Sequence, residues 1–153
     1  MLDLIIKNGE CYIDGKITKT NIGIQNGKIS IIGDLNNEQS KETVDASNLL
    51  VLPGCMDTQV HFREPGSTNA EDLHTGSKAA IAGGITSVFE MPNTNPPTAN
   101  MKEFNNKLNL AKNRMYSNYA FYFGATPDNS SDLAKLKGLE AVSYTHLTLP
   151  TTS

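Results

Sequence analysis

Cysteine is scarce in this chain, and the two that occur, Cys11 and Cys55, lie far apart with no CxxC spacing. That leaves two reduced thiols in a cytoplasmic protein, with packing as their default role. Long apolar runs are missing too: none approaches the ~20 residues that span a bilayer, and the N-terminus lacks a signal-peptide pattern. No excess of one charge exists either. The formal net charge of −3 gives no reason to expect nucleic acid or an anionic membrane surface as partner. Histidine is rare, limited to His61, His74 and His146, so imidazole chemistry has few places to sit.

What is present reads as globular. The 153 residues are 38% hydrophobic and 19% charged, enough to bury a core and unlike a disordered chain. The first third is β-rich. Apolar runs are separated by Asn8-Gly9, Asp14-Gly15 and Asn26-Gly27, pairs that supply the positive φ angles of tight hairpins, so a small antiparallel sheet is expected there. Residues 33–42 are polar and read as a loop, with one more short strand at Thr43 to Asp45.

From Leu49 the pattern changes. Leu49-Leu50-Val51-Leu52 is a continuous apolar run, as a strand buried on both faces would show. After Pro65-Gly66, the residues Thr68 to Glu71 fit a capping box opening a helix that runs to Ala82 and stops at Gly83-Gly84. A strand at Ile85–Met91, a stiff loop, and a helix with apolar Met101, Phe104, Leu108, Ala111 and Met115 follow. Tyr119 to Phe123 reads as a third strand, and Asp128 to Ser131 cap a short helix. Strands alternating with helices imply about three parallel βα units, compatible with an open doubly wound sheet or part of a (β/α)₈ barrel.

The polar residues collect in one stretch, Asp57 to Gly66. If it is a strand, Asp57, Gln59, His61 and Arg63 share a face near its C-terminal end, where parallel α/β folds place their sites. A lone strand His is more often a packed core residue than a ligand, but these neighbours favour function. Arg63 offers a planar fork for a carboxylate, with an ion pair to Glu64 or Glu71 as the plainer alternative. Asn93 sits between Pro92 and Pro96-Pro97, where its amide can hold one orientation or simply serve a turn. Glu90, inside an apolar strand, needs a partner, so a structural ion pair is expected. His74 reads as exposed or helix-packing.

At these residues the sequence resembles the dihydroorotases of the amidohydrolase superfamily. The resemblance is carried by Leu52-Pro53-Gly54, by Asp57 to Gly66, by Ala82 to Thr86, and by Met91-Pro92-Asn93-Thr94-Asn95-Pro96-Pro97-Thr98. It implies the N-terminal part of a (β/α)₈ TIM barrel, about three βα units, beside strands of a small β-domain. The divisions expected are 1–48 for the β-domain, 49–141 for the barrel units, and 142–153 for a non-native or disordered tail. The implied activity is reversible hydrolysis of L-dihydroorotate to N-carbamoyl-L-aspartate in pyrimidine synthesis, with one or two zinc ions (Zn2+) activating water and polarising the ring amide.

By position, the resemblance makes His61 a metal ligand and Arg63 and Asn93 the holders of the substrate carboxylate. Gln59 stands where the family has another ligand His, and an amide is a poor zinc ligand. The resemblance places the family's remaining metal ligands and its proton-handling Asp on later strands. It therefore implies that these 153 residues hold no catalytic residue and that the chain is an incomplete one, inactive alone. Two other readings are a non-catalytic dihydroorotase-like partner of another pyrimidine enzyme, and an allantoinase- or hydantoinase-like hydrolase. The partner implied is a small-molecule substrate, with a homo-oligomer or association with another pyrimidine enzyme left open.

Overall fold

The computed structural model describes residues 1–133, 136 and 141–144. The chain divides into two compact units, Met1–Pro53 and Gly54–Ser153.

In the first unit, β1 (Leu2–Ile13) is the central strand, followed by β2 (Lys16–Gln25), β3 (Lys28–Gly33), β4 (Ser40–Asp45) and β5 (Leu50–Val51). Two of the three expected hairpin turns form. Asp14 and Gly15 have φ of 49° and 79°, and Asn26 and Gly27 have 52° and 70°, the positive pairs that such turns need. Asn8-Gly9 does something else: β1 runs straight through it, with Asn8 at φ 62° and the register to β2 shifting between Ile6 and Gly9. This is a bulge, pinned from both sides because Asn8 N–H donates to Asn21 Oδ1 and Asn8 Nδ2 donates to Asp45 Oδ1. Glycine follows because a Cβ at Gly9 would lie 2.6 Å from Val51 Cγ2.

The sheet is therefore mixed rather than antiparallel. Its order is β3-β2-β1-β4, and β4 and β5 both run parallel to β1. The Leu49–Leu52 run is not a doubly buried strand: only Leu50–Val51 pair, opposite Glu10 and Cys11, and Leu49, Leu50 and Leu52 are half exposed. This pairing carries the first unit to Pro53, past the expected boundary at 48. Apolar composition signals burial only where a second layer covers the strand.

The second unit alternates as expected: β6 (Cys55–Val60), α1 (Leu73–Ala82), β7 (Ile85–Glu90), α2 (Met101–Ala111), β8 (Asn118–Gly124), a short α3 (Ser130–Leu133) and β9 (Ala141–Tyr144). The strands form a parallel sheet in the order β6-β7-β8-β9. Because β9 pairs with β8 in register, the sheet extends into the segment that composition sets apart as a tail; residues 145–153 lie outside the described residues, as does Leu139. Val88, Phe121 and Phe123 on one sheet face join Phe62, Leu73, Phe104 and Ala111 in the core. The stripe on α2 falls where its period places it, and Met115, just past the helix, packs against the same core. No described helix is long and apolar enough to cross a membrane.

The helix start differs from expectation. α1 begins after Asp72, not within Thr68 to Glu71, which instead turn through an Ala70 N–H bond to Ser67 O. Asp72 Oδ1 accepts from the Thr75 N–H at 2.7 Å, and Thr75 Oγ1 accepts from the Asp72 N–H at 3.2 Å. The box needs a side-chain acceptor at the cap and another, three residues on, reaching back to the cap N–H, and Thr75 Oγ1 serves in place of the usual Glu. Bonds to the Asp72 carboxylate from the Thr75 N–H and hydroxyl, with the charge of Arg114 nearby, hold that carboxyl below its ordinary range. Asp72→Ala should cost about 1 kcal/mol in urea unfolding, the usual loss for an N-cap.

Candidate functional site

The site is built where β6 and β7 end. β6 does not keep a simple alternation to Arg63: its register to β7 shifts between Cys55 and Met56 and again between Asp57 and Val60. Thr58 and Gln59 thus leave the ladder, a bulge of the kind that re-aims side chains near sites. It is held at two points. Asp57 Oδ1 accepts the Gln59 N–H at 2.9 Å, and the Tyr122 hydroxyl, reaching over from β8, donates to Thr58 O at 3.0 Å. The strand ends at Val60, whose carbonyl accepts the Met91 N–H. His61 and Arg63 lie beyond it, so the expected four-residue strand face is replaced by a bulge and an exit loop.

Phe62 anchors that exit. Its ring sits against α1 at Gly76, where an added Cβ would be 2.4 Å from Phe62 Cδ1. With Phe62 inward, its neighbours turn away: His61 is half-buried and Arg63 is exposed with φ 61°, a backbone region unusual for Arg. Glu64, the first of the two partners considered for Arg63, is taken. Its carboxylate holds Arg114 in a two-pronged pair at 2.8 and 3.1 Å and accepts the Leu73 N–H at 2.9 Å. The pair also raises the Arg114 guanidinium above its ordinary range. Among the described residues the Arg63 guanidinium has no hydrogen-bond or ion-pair partner.

Asn93 meets His61 directly. Asn93 Oδ1 lies 2.9 Å from His61 Nδ1. An amide oxygen only accepts, so Nδ1 carries a proton, and among the described residues Nε2 has no hydrogen-bond partner. The Asn93 loop is braced against the Pro65-Gly66 turn, since the Asn95 N–H donates to Pro65 O and a Cβ at Gly66 would meet Asn95 at 2.9 Å. Gly66, at φ 124°, is where only glycine allows the two loops to touch.

Beneath the site lies a buried ion pair. Glu90, the last residue of β7, pairs with Lys107 of α2, and both side chains are all but inaccessible. The expected ion pair of Glu90 is therefore present. Burial pushes the Glu90 carboxyl from its ordinary 4.5 up to about 7, with the Lys107 charge acting against that rise; burial also lowers Lys107. A folded-state value above the unfolded one means that Glu90 favours the fold below about 4.5 and that this contribution is lost as pH rises through about 7. Urea midpoints should fall across that window in the wild type and flatten in Glu90→Gln.

Lys107, Glu64 with Arg114, and Tyr122 have no counterpart in the sequence reading. Only Lys107 left a signal: it stands three residues after Phe104 and four before Ala111, on the apolar stripe of α2. His74 is exposed on α1, edge-on to Tyr116 at 5.2 Å, as expected of a helix-packing residue.

As a metal ligand His61 has the right arrangement: one ring nitrogen bonded to a carbonyl, the other free. Gln59 offers an exposed amide, and the Asp57 carboxylate is turned to a backbone N–H. Among the described residues no group of three or more His, Cys, Asp or Glu converges on one point. One imidazole fits a metal; the described residues do not complete a ligand set.

Parallel strands that deliver His61, Arg63 and Asn93 just past their C-terminal ends define a βα protein with its polar cluster where such folds carry their sites. Residues 50–142 match the Amidohydrolase family, and the chain belongs to that family. It is 42% identical over 127 residues to a dihydroorotase of Methanosarcina acetivorans, covering 82% of this chain and 27% of that protein. It is 38% identical over 135 residues to an allantoinase of Desulfitobacterium hafniense, covering 88% of this chain and 30% of that one. The solved L-hydantoinase (dihydropyrimidinase) from Arthrobacter aurescens superposes with a TM-score of 0.83 at 32% identity, covering 89% of this chain and 31% of its own. The chain thus spans less than a third of each of these proteins.

Proposed function

We propose that the full-length protein is a dihydroorotase, a cyclic-amide hydrolase whose (β/α)₈ barrel contains the parallel sheet described above. It converts L-dihydroorotate and N-carbamoyl-L-aspartate into one another, and both are carboxylates. The observation that carries this reading is the unpaired Arg63 beside the His61–Asn93 contact, with Glu64 already committed to Arg114. A free guanidinium at the rim of a site calls for an anion, and its fork suits a carboxylate. In this reading Arg63 and the Asn93 amide hold the substrate carboxylate, and His61 contributes one ligand to a zinc site completed elsewhere in the full-length protein. A bound zinc ion supplies Lewis-acid polarisation of the ring amide. Gln59 contributes little to such a site, because zinc favours imidazole, thiolate or carboxylate.

A second reading, hydrolysis of allantoin or a hydantoin, is favoured by the 38% identity to an allantoinase and the superposition on an L-hydantoinase. Those ring substrates lack the carboxylate that Arg63 would hold. Supplying the zinc-loaded full-length protein with dihydroorotate, allantoin and hydantoin separately decides between them. Turnover of dihydroorotate above a metal-only control is the expected result. Preference for allantoin or hydantoin would sink the assignment, and dihydroorotate binding without any turnover would favour the non-catalytic partner, with Gln59 as its mark.

A further inference from the structure

We propose that Lys107 is a positioning residue for the site, fixing through the loop at residues 92–98 the amide of Asn93 and hence which nitrogen of His61 carries the proton. The ammonium of Lys107 has three donors and meets three acceptors. These are the Glu90 carboxylate, Met91 O at 2.9 Å and Thr98 Oγ1 at 3.3 Å. Met91 enters the Asn93 loop and Thr98 leaves it, so one buried cation ties both ends. Because Thr98 Oγ1 accepts from Lys107, its own proton is directed to Thr94 Oγ1 at 3.2 Å, and Thr94 in turn donates to Pro96 O at 2.9 Å. The chain of donors therefore runs from the core to the residue adjoining Asn93. Thr98 further closes the loop by donating its N–H to Pro92 O and accepting the Gly124 N–H.

The same pair reaches the other half of the contact. The charge of Arg63 favours the Glu90 carboxylate, and the Met91 N–H, next along the chain, joins Val60 O. Lys107 and Glu90 thus stand behind both strand exits that carry His61 and Asn93. Stability alone does not explain them. Lys107 lies over the Phe121 ring at 5.3 Å among apolar neighbours, where an apolar pair of similar volume would typically match or exceed the stability of an ion pair. The pair supplies direction, which an apolar contact cannot.

This inference rests on His61 and Asn93 being site residues, as the dihydroorotase reading has them, but its test does not require that substrate. In the metal-stripped full-length protein labelled with 15N-histidine, long-range 1H–15N spectra report the His61 tautomer. The wild type should show Nδ1 protonated and Nε2 bare. The double substitution Glu90→Leu with Lys107→Met removes both charges and keeps the packing volume, and Thr98→Val removes only the hydroxyl relay. Either folded variant should show a mixture of the two tautomers and, when zinc-loaded, a higher KM for dihydroorotate. A purely structural pair would shift the urea midpoint and leave the tautomer alone. Folded variants that keep the wild-type tautomer overturn the proposal, as does a wild type protonated on Nε2. Failure of the wild type to act on dihydroorotate counts against the functional reading only.

Discussion

Lys107→Met alone should destabilise the folded protein by about 3–5 kcal/mol at neutral pH, because it leaves the Glu90 carboxylate buried with no counter-charge. The loss should also depend on pH in a definite direction. Burial already raises Glu90 to about 7 with Lys107 present, and removing that cation removes the main force opposing the rise. At low pH the lone carboxyl can take a proton and sit buried as a neutral acid, so the penalty shrinks; toward alkaline pH it grows. Urea unfolding of wild type and variant on both sides of neutrality checks this. A pH-independent difference would mean that lost packing against Phe121, rather than an orphaned charge, accounts for the effect.

Arg63→Lys should weaken binding of dihydroorotate roughly 10- to 100-fold while zinc content stays as in the wild type. A lysine keeps the charge but not the planar fork, so one charge-assisted hydrogen bond to the carboxylate is lost, a change of about 1.5–3 kcal/mol. No hydrogen bond or ion pair engages the Arg63 side chain: its neighbour Glu64 is bound by Arg114 and the Leu73 N–H, so the substitution breaks no internal ion pair. Titration with dihydroorotate alongside metal analysis separates the two roles. Loss of zinc with substrate affinity kept would make Arg63 a support of the metal site instead.

Much of the second unit could be read from its residues in order. The alternation of apolar strands with a three-and-four-spaced helix stripe placed β7 and β8 to within a residue and the start of α2, because those periods reflect which side each side chain faces. It carried that helix on to Met115, four residues past its end. The Asp14-Gly15 and Asn26-Gly27 turns were equally legible, since they depend on local φ alone. Asn8-Gly9 has the same local signature, yet there the partners Asn21 and Asp45, on neighbouring strands, turned a hairpin signal into a bulge. Leu49 to Leu52 misled for a related reason: composition cannot state whether a second layer arrives.

The site shows the same division. Residue types and their order in the chain pointed to His61, Arg63 and Asn93 and to the family. They could not state that β6 bulges at Thr58-Gln59, since that depends on a Tyr122 hydroxyl reaching Thr58 from 64 positions away. Nor could they state that Glu64 belongs to Arg114, 50 positions on, or that Lys107 is the partner Glu90 required. The sequence alone determined which groups are available and which short segments carry them, because propensity, turn chemistry and apolar period act between near neighbours. Only the tertiary structure decided which charges are already paired, which imidazole nitrogen is free, and which arginine is left for a ligand. Those outcomes depend on distances between residues far apart along the chain, and folding alone sets them.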